Sequence, residues 1–209
     1  MSRKGEQSRE RILAAAKELA LRKGFAGMSV DDILAAAGVS KGAFFHHFRS
    51  RADLAAQLIR WYAEADIRML RTLVAEAEAA QDGAMAQLLQ ILGAFEAQLR
   101  DPGTAPRGCM YALYSYEEEQ FDEEVRALVA EAFRAWTALF IRKFQEMIDA
   151  QPPARPVTAK ALAEMFVSVI EGGLILQRAH GIPGLAARQS AQFRGYLELL
   201  FPRPPQAEG

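Results

Sequence analysis

The stretch Asp31–Phe48, DDILAAAGVSKGAFFHHF, constrains the fold more than any other part of the chain. Ile33, Leu34 and Ala37 lie on one face of a helix. Gly38 follows them, and glycine takes the left-handed turn that ends a helix at no steric cost. Ser40 then offers a side-chain oxygen to the free N–H groups of a second helix. The spacing predicts two short helices joined by a tight turn, a helix-turn-helix. In such a unit the second helix enters the major groove of DNA. The competing reading of the pattern alone is an ordinary helical hairpin with a solvated outer face.

The second helix divides by angle, at about 100° per residue. Phe44 and Phe48 share one side and mark the face turned to the core. Gly42 and His46 fall opposite, flanked by Ala43 and Phe45. The outward face is small at Gly42 and Ala43, so backbone can approach a base edge or a thymine methyl. His46 can donate to a base or a phosphate. Lys41 and Arg49 suit phosphates, which position a protein on DNA without reading sequence. Ser29 with Asp32, and Ser50 with Asp53, have the spacing of capping boxes at two helix starts. Helix N-termini also favour phosphate, which adds Ser29, Ser40 and Arg51 to the candidate DNA contacts.

Charge is distributed in keeping with this. Residues 1–60 carry 11 Lys and Arg against 6 Asp and Glu, whereas residues 61–209 carry 14 against 20. A basic head on an acidic body fits a two-part regulator better than the overall net charge of −1 suggests. No apolar run reaches the ~18 residues of a membrane helix, and Met1–Arg11 has no apolar signal core, so a cytoplasmic protein is expected. The single cysteine, Cys109, excludes an internal disulfide and a multi-cysteine metal site. No nucleophile–base group, paired histidine ligands or phosphate loop is present, so neither a cofactor nor a metal is expected and an enzyme is the least favoured class.

The apolar periodicity is helical throughout. A polar arm, Ser2–Gln7, precedes a helix over about 8–23. Further helices are expected over about 51 to the late 70s, 84–100, 108–116, 118–150, 158–180 and 185–201. Residues 101–107 and 151–156 read as proline-containing breaks, and the tail from Pro202 as disordered. The helices over 158–180 and 185–201 carry more apolar surface than one contact needs, which points to burial on more than one side. Phe166, Ile170, Leu174, Phe193, Tyr196, Leu197 and Leu200 are the candidate contacts of a homodimer, the competing reading being a plain core within the chain.

Arg9–Leu58, through RERILAAAKELALRKGFAGMSVDDILAAAGVSKGAFFHHF and the following SRADL, resembles the DNA-binding domain of the tetracycline-repressor (TetR) family. Leu34 stands where a small alanine is usual. Phe45 stands where tyrosine is usual, so a phenol often placed on a phosphate is missing. The resemblance implies an all-α fold: a three-helix helix-turn-helix domain over 1–50 and a larger effector-binding and dimerisation domain over 51–209. It also implies a four-helix dimer interface from the last two helices and a duplex operator as partner. An effector pocket is then expected in the body, with Trp61, Phe95, Cys109, Tyr111, Tyr114, Trp136, Phe140 and Phe166 as candidate lining and a small apolar or aromatic molecule as ligand. The leading function is a ligand-responsive dimeric repressor. The alternative in another class is a redox or electrophile sensor acting through Cys109.

Overall fold

The computed structural model describes residues 3–101 and 107–202. The described residues form nine α-helices and no strand: α1 Arg3–Lys23, α2 Val30–Ala37, α3 Lys41–His47, α4 Arg51–Ala80, α5 Ala84–Arg100, α6 Met110–Tyr116, α7 Glu123–Ala150, α8 Ala159–His180 and α9 Leu185–Leu200. The all-α reading holds. Two boundaries differ from expectation. Helix α1 begins at Arg3, so most of the expected polar arm is helical: Lys, Glu, Gln and Arg are good helix formers and need no apolar partner. The helix expected over 118–150 is split into a single 3₁₀ turn, Glu118–Gln120, and α7. Asp122 causes the restart by accepting from the Val125 N–H at 3.0 Å. The proline-containing stretch after Asp101 and the tail beyond Pro202 lie outside the described residues.

The chain divides into two compact units, Met1–Ile67 with Arg107–Phe133, and Arg68–Pro106 with Arg134–Gly209. In the first, α1 sends Ile12, Leu13, Ala16 and Ala20 inward against Ile33, Phe44, Phe48, Leu54 and Leu58, all fully buried. Full burial of each larger side chain is worth about 1.5–3 kcal/mol. The turn after α1 is held from a distant part of the sequence. Glu117, at the end of α6, accepts from the N–H of Phe25 at 2.9 Å and of Ala26 at 2.8 Å. Gly24 has φ 80°, and a Cβ there would lie 2.8 Å from Glu117 Oε1, so both backbone conformation and space require glycine. The Phe25 ring packs on Phe121 and Tyr114, and the last two stack at 4.4 Å.

The second unit is built on α5, α8 and α9. Phe95, Phe140, Phe166 and Phe193 form a continuous aromatic core, with Phe140 and Phe166 centroids 4.6 Å apart. Helices α8 and α9 approach closely at Gly173, where a Cβ would meet the Ala186 Cα at 2.7 Å. Buried Lys143 donates to Glu78, Gln87 and Glu146, which uses all three of its hydrogens.

Six of the seven side chains expected at a dimer surface lie inside the chain's own core. Phe166, Ile170, Leu174, Phe193, Leu197 and Leu200 are all buried, and only Tyr196 is exposed among that set. The apolar residues left open on α8 and α9 are Met165, Ile175, Leu176, Tyr196 and Leu199, the last 80% exposed. Both helices are apolar on two sides, and periodicity could not say which side the chain itself covers.

Candidate nucleic-acid interface

Local chemistry builds the helix-turn-helix much as its sequence dictates. Ser29 caps α2: its hydroxyl accepts from the Asp32 N–H, and the Asp32 carboxylate accepts from the Ser29 N–H, a complete capping box. Lys23 adds an ion pair to Asp32 at 2.7 Å. The hydrogen bonds from Lys23 and Ser29 hold the Asp32 carboxyl well below the usual range. Gly38 ends α2 at φ 61° in the left-handed region, and Ser40 caps α3 by accepting from the Ala43 N–H at 3.2 Å. At α4, Ser50 accepts from the Asp53 N–H, but the Asp53 carboxylate reaches back to the Arg49 N–H at 2.8 Å, one residue beyond the box the spacing suggested.

The two faces of α3 are where the angular reading put them. Phe44 and Phe48 are fully buried. Lys41, Gly42, Phe45, His46 and Arg49 are exposed, with Ala43 half-buried. Arg49 presents 92% of its side chain to solvent. Gly42 has no left-handed backbone to explain it. A Cβ at Gly42 would meet only the Ser40 hydroxyl, at 3.9 Å. Among the described residues nothing requires a glycine there.

Two of the proposed phosphate contacts are occupied. The Arg51 guanidinium lies over the Phe25 ring, 4.8 Å from its centroid, and donates to the Phe25 carbonyl. It braces the turn after α1, and the Phe25 ring and carbonyl are the reason it points inward. The Ser29 hydroxyl and N–H are both spent on Asp32. His47, half-buried beside His46, has its pKa lowered by burial and by the positive charges of His46 and Arg9.

The expected effector residues separate by unit. Phe95, Trp136, Phe140 and Phe166 cluster in the second, with Phe95 and Trp136 edge-to-face at 5.5 Å. Trp61, Cys109, Tyr111 and Tyr114 belong to the first. Tyr111 packs between Tyr62 and Phe133 and donates to Asp66 at 3.0 Å. Burial and the Asp66 charge raise its pKa far above the ordinary value. Tyr114 is buried and donates to the Ala55 carbonyl at 2.9 Å, so its hydroxyl serves α4. Sequence reasoning missed the Glu117 grip on the α1–α2 turn and the partners of Gln57. The Glu117–Phe25 and Arg9–Gln57 bonds join residues 92 and 48 apart, and no local pattern signals such a pairing.

A basic, small-faced second helix on a capped helix-turn-helix defines a DNA-binding regulator. Residues 12–58 match the family model described as bacterial regulatory proteins, tetR family, and residues 84–182 match that of the LmrA/YxaF-like transcriptional regulator C-terminal domain. The chain belongs to the TetR family of transcriptional regulators. Among its relatives, the transcriptional regulator AcuR of Cereibacter sphaeroides is 28% identical over 78% of this chain and 73% of its own length. The repressor NemR of Escherichia coli is 32% identical over 63% of this chain and 64% of its own. A TetR-family regulator from Agrobacterium tumefaciens superposes with a TM-score of 0.78 at 27% identity, covering 94% of this chain and 99% of that one. No described helix is long and apolar enough to cross a membrane.

Proposed function

We propose that the protein is a homodimeric repressor that binds a palindromic duplex operator through α3 and is released by a small apolar or aromatic effector. Gly42 carries the DNA part of this reading. An exposed helical glycine whose Cβ would touch only the Ser40 hydroxyl is explained by an outside surface that comes very close, and it is flanked by Lys41, His46 and Arg49. In this reading residues 1–50 bind DNA, and residues 51–209 bind the effector and a second copy. Relatives named as repressors, NemR and the DhaR protein of a Mycobacterium, support the sign of regulation.

The dimer follows from the open stripe of α8 and α9. Gly172 and Gly195 lie in these helices, and among the described residues a Cβ on either would meet nothing within 4 Å. A helix-interior glycine costs about 1 kcal/mol relative to alanine, and close passage of a partner helix would account for both. The effector reading rests on two aromatic groups, Tyr62, Tyr111 and Phe133 in the first unit and Phe95, Trp136, Phe140 and Phe166 in the second. Shifting a protein from 99:1 to 1:99 between two states needs about 5.5 kcal/mol of differential binding, which two sites of roughly 100-fold preference would supply together.

Selection of a duplex from a randomised pool by the purified protein tests the operator. A recovered palindrome is the expected result, and recovery of no preferred sequence would refute it. Titrating that complex with aromatic compounds, while following tryptophan fluorescence and DNA retention together, tests the effector. Saturable quenching without release would separate binding from switching. A redox sensor is the second reading, because Cys109, a free cysteine at the start of α6, is only half-buried. A Cys109→Ser protein that still answers an oxidant would remove it.

A further inference from the structure

In the first unit one hydrogen-bonded chain ties α1, the end of α3 and α4 together. Arg9 donates from Nε and Nη2 to Gln57 Oε1, at 3.2 and 3.0 Å. Gln57 Nε2 donates to the His47 carbonyl at 3.3 Å and to Asp53 Oδ1 at 3.1 Å. Asp53 Oδ2 accepts from the Arg49 N–H at 2.8 Å. Chemistry fixes the orientation of the amide. A guanidinium has no acceptor, and a carbonyl and a carboxylate have no donor, so the amide oxygen must face Arg9 and the nitrogen the other two. Glutamate of the same length could serve Arg9 but could not donate. Methionine could do neither.

Helix α3 has particular need of such a tie. It has seven residues, and its hold on the core is the buried pair Phe44 and Phe48. The last carbonyls of a helix lack partners within it, and Gln57 supplies one at His47. A helix held mainly along one edge can rock about that edge. Reading a base edge demands placement within about 0.5 Å. We propose that Gln57 is a positioning residue for sequence readout, fixing the pose of α3 through its end, with Arg9 as the anchor on α1. This rests on α3 being the reading helix. Gln57 itself is assigned no DNA contact.

The test compares wild-type protein with Gln57→Glu and Gln57→Met. Two duplexes are used: the one wild-type protein retains from a randomised pool, and a scrambled duplex of the same length and composition. Both variants are expected to lose about tenfold in the ratio of selected to scrambled affinity, with scrambled binding changed less than twofold. Amide exchange across residues 44–49 should rise in both, with that of the buried α1 residues unchanged. An unchanged ratio in a folded variant would overturn the proposal. So would a parallel fall in both affinities, or faster exchange throughout α1, since either marks a purely structural role. If wild-type protein itself selects no duplex, the reading of α3 fails first, and the exchange measurement alone judges whether Gln57 holds α3.

Discussion

At the scale of single residues, the groove face of α3 separates stability from function. Gly42→Ala places a methyl in open space, so folding stability should rise by about 0.5–1 kcal/mol while affinity for the selected duplex falls. Lys41→Ala should instead weaken all duplexes alike and lower the salt-dependence slope by about 1. Filter binding across a salt series, with thermal melting of the same samples, checks both. Acid sensitivity is also written in individual groups. His47 has a folded pKa below its ordinary 6.5, because burial and then His46 and Arg9 disfavour its charge. The unfolded chain therefore takes up its proton first, and the stability tied to neutral His47 is present above the ordinary 6.5 and lost as pH falls below that, through the depressed folded value. Asp53 behaves in the other window. Burial raises its pKa, but hydrogen bonds from Arg49 and Gln57 and the Arg49 charge outweigh it and leave it lowered. Its contribution is present above the ordinary 3.8 and lost as pH falls below that, through the depressed folded value. Urea midpoints across pH 3–8 should decline in two stages, and His47→Gln should remove only the upper one.

At the scale of elements, the capped starts and the glycine stop of the helix-turn-helix are local matters, and its sequence displayed them. The grip of Glu117 on the α1–α2 turn is not local. It joins residues 92 apart, and near α1 it is marked only by Gly24, where the carboxylate leaves no room for a side chain. Glu117→Ala leaves the N–H groups of Phe25 and Ala26 without their carboxylate. It should cost about 1–2 kcal/mol, the lower part of the range for charge-assisted bonds because the Ala26 end is exposed. Urea unfolding measures this, and Glu117→Gln should recover part of the loss. The same lesson applies to Arg51. Its position at a helix start suggested phosphate, but a ring and a carbonyl brought in by the preceding turn claim it.

At the scale of the whole molecule, assembly is decided by which apolar stripe remains open. Leu199→Glu alters an exposed side chain, so it should leave a folded protein that sediments as a monomer. Leu197→Glu buries an unpaired carboxylate in the chain's own core and should prevent folding. Sedimentation and circular dichroism of the two variants distinguish the stripes, and a dimeric Leu199→Glu protein would argue against this surface.

Sequence by itself determined the helix content, nearly every helix boundary, the helix-turn-helix with its caps, and the outward face of α3. These depend on the next few residues, through helical period, capping oxygens and left-handed glycine. Tertiary structure decided which stripe of α8 and α9 the chain keeps for itself. It also turned Arg51 inward, set Tyr114 against α4, and gave Gln57 partners on α1 and α3. Those outcomes depend on which donors, acceptors and rings meet across long separations in the chain, and a helical period fixes an angle about one axis without naming the neighbour that fills it.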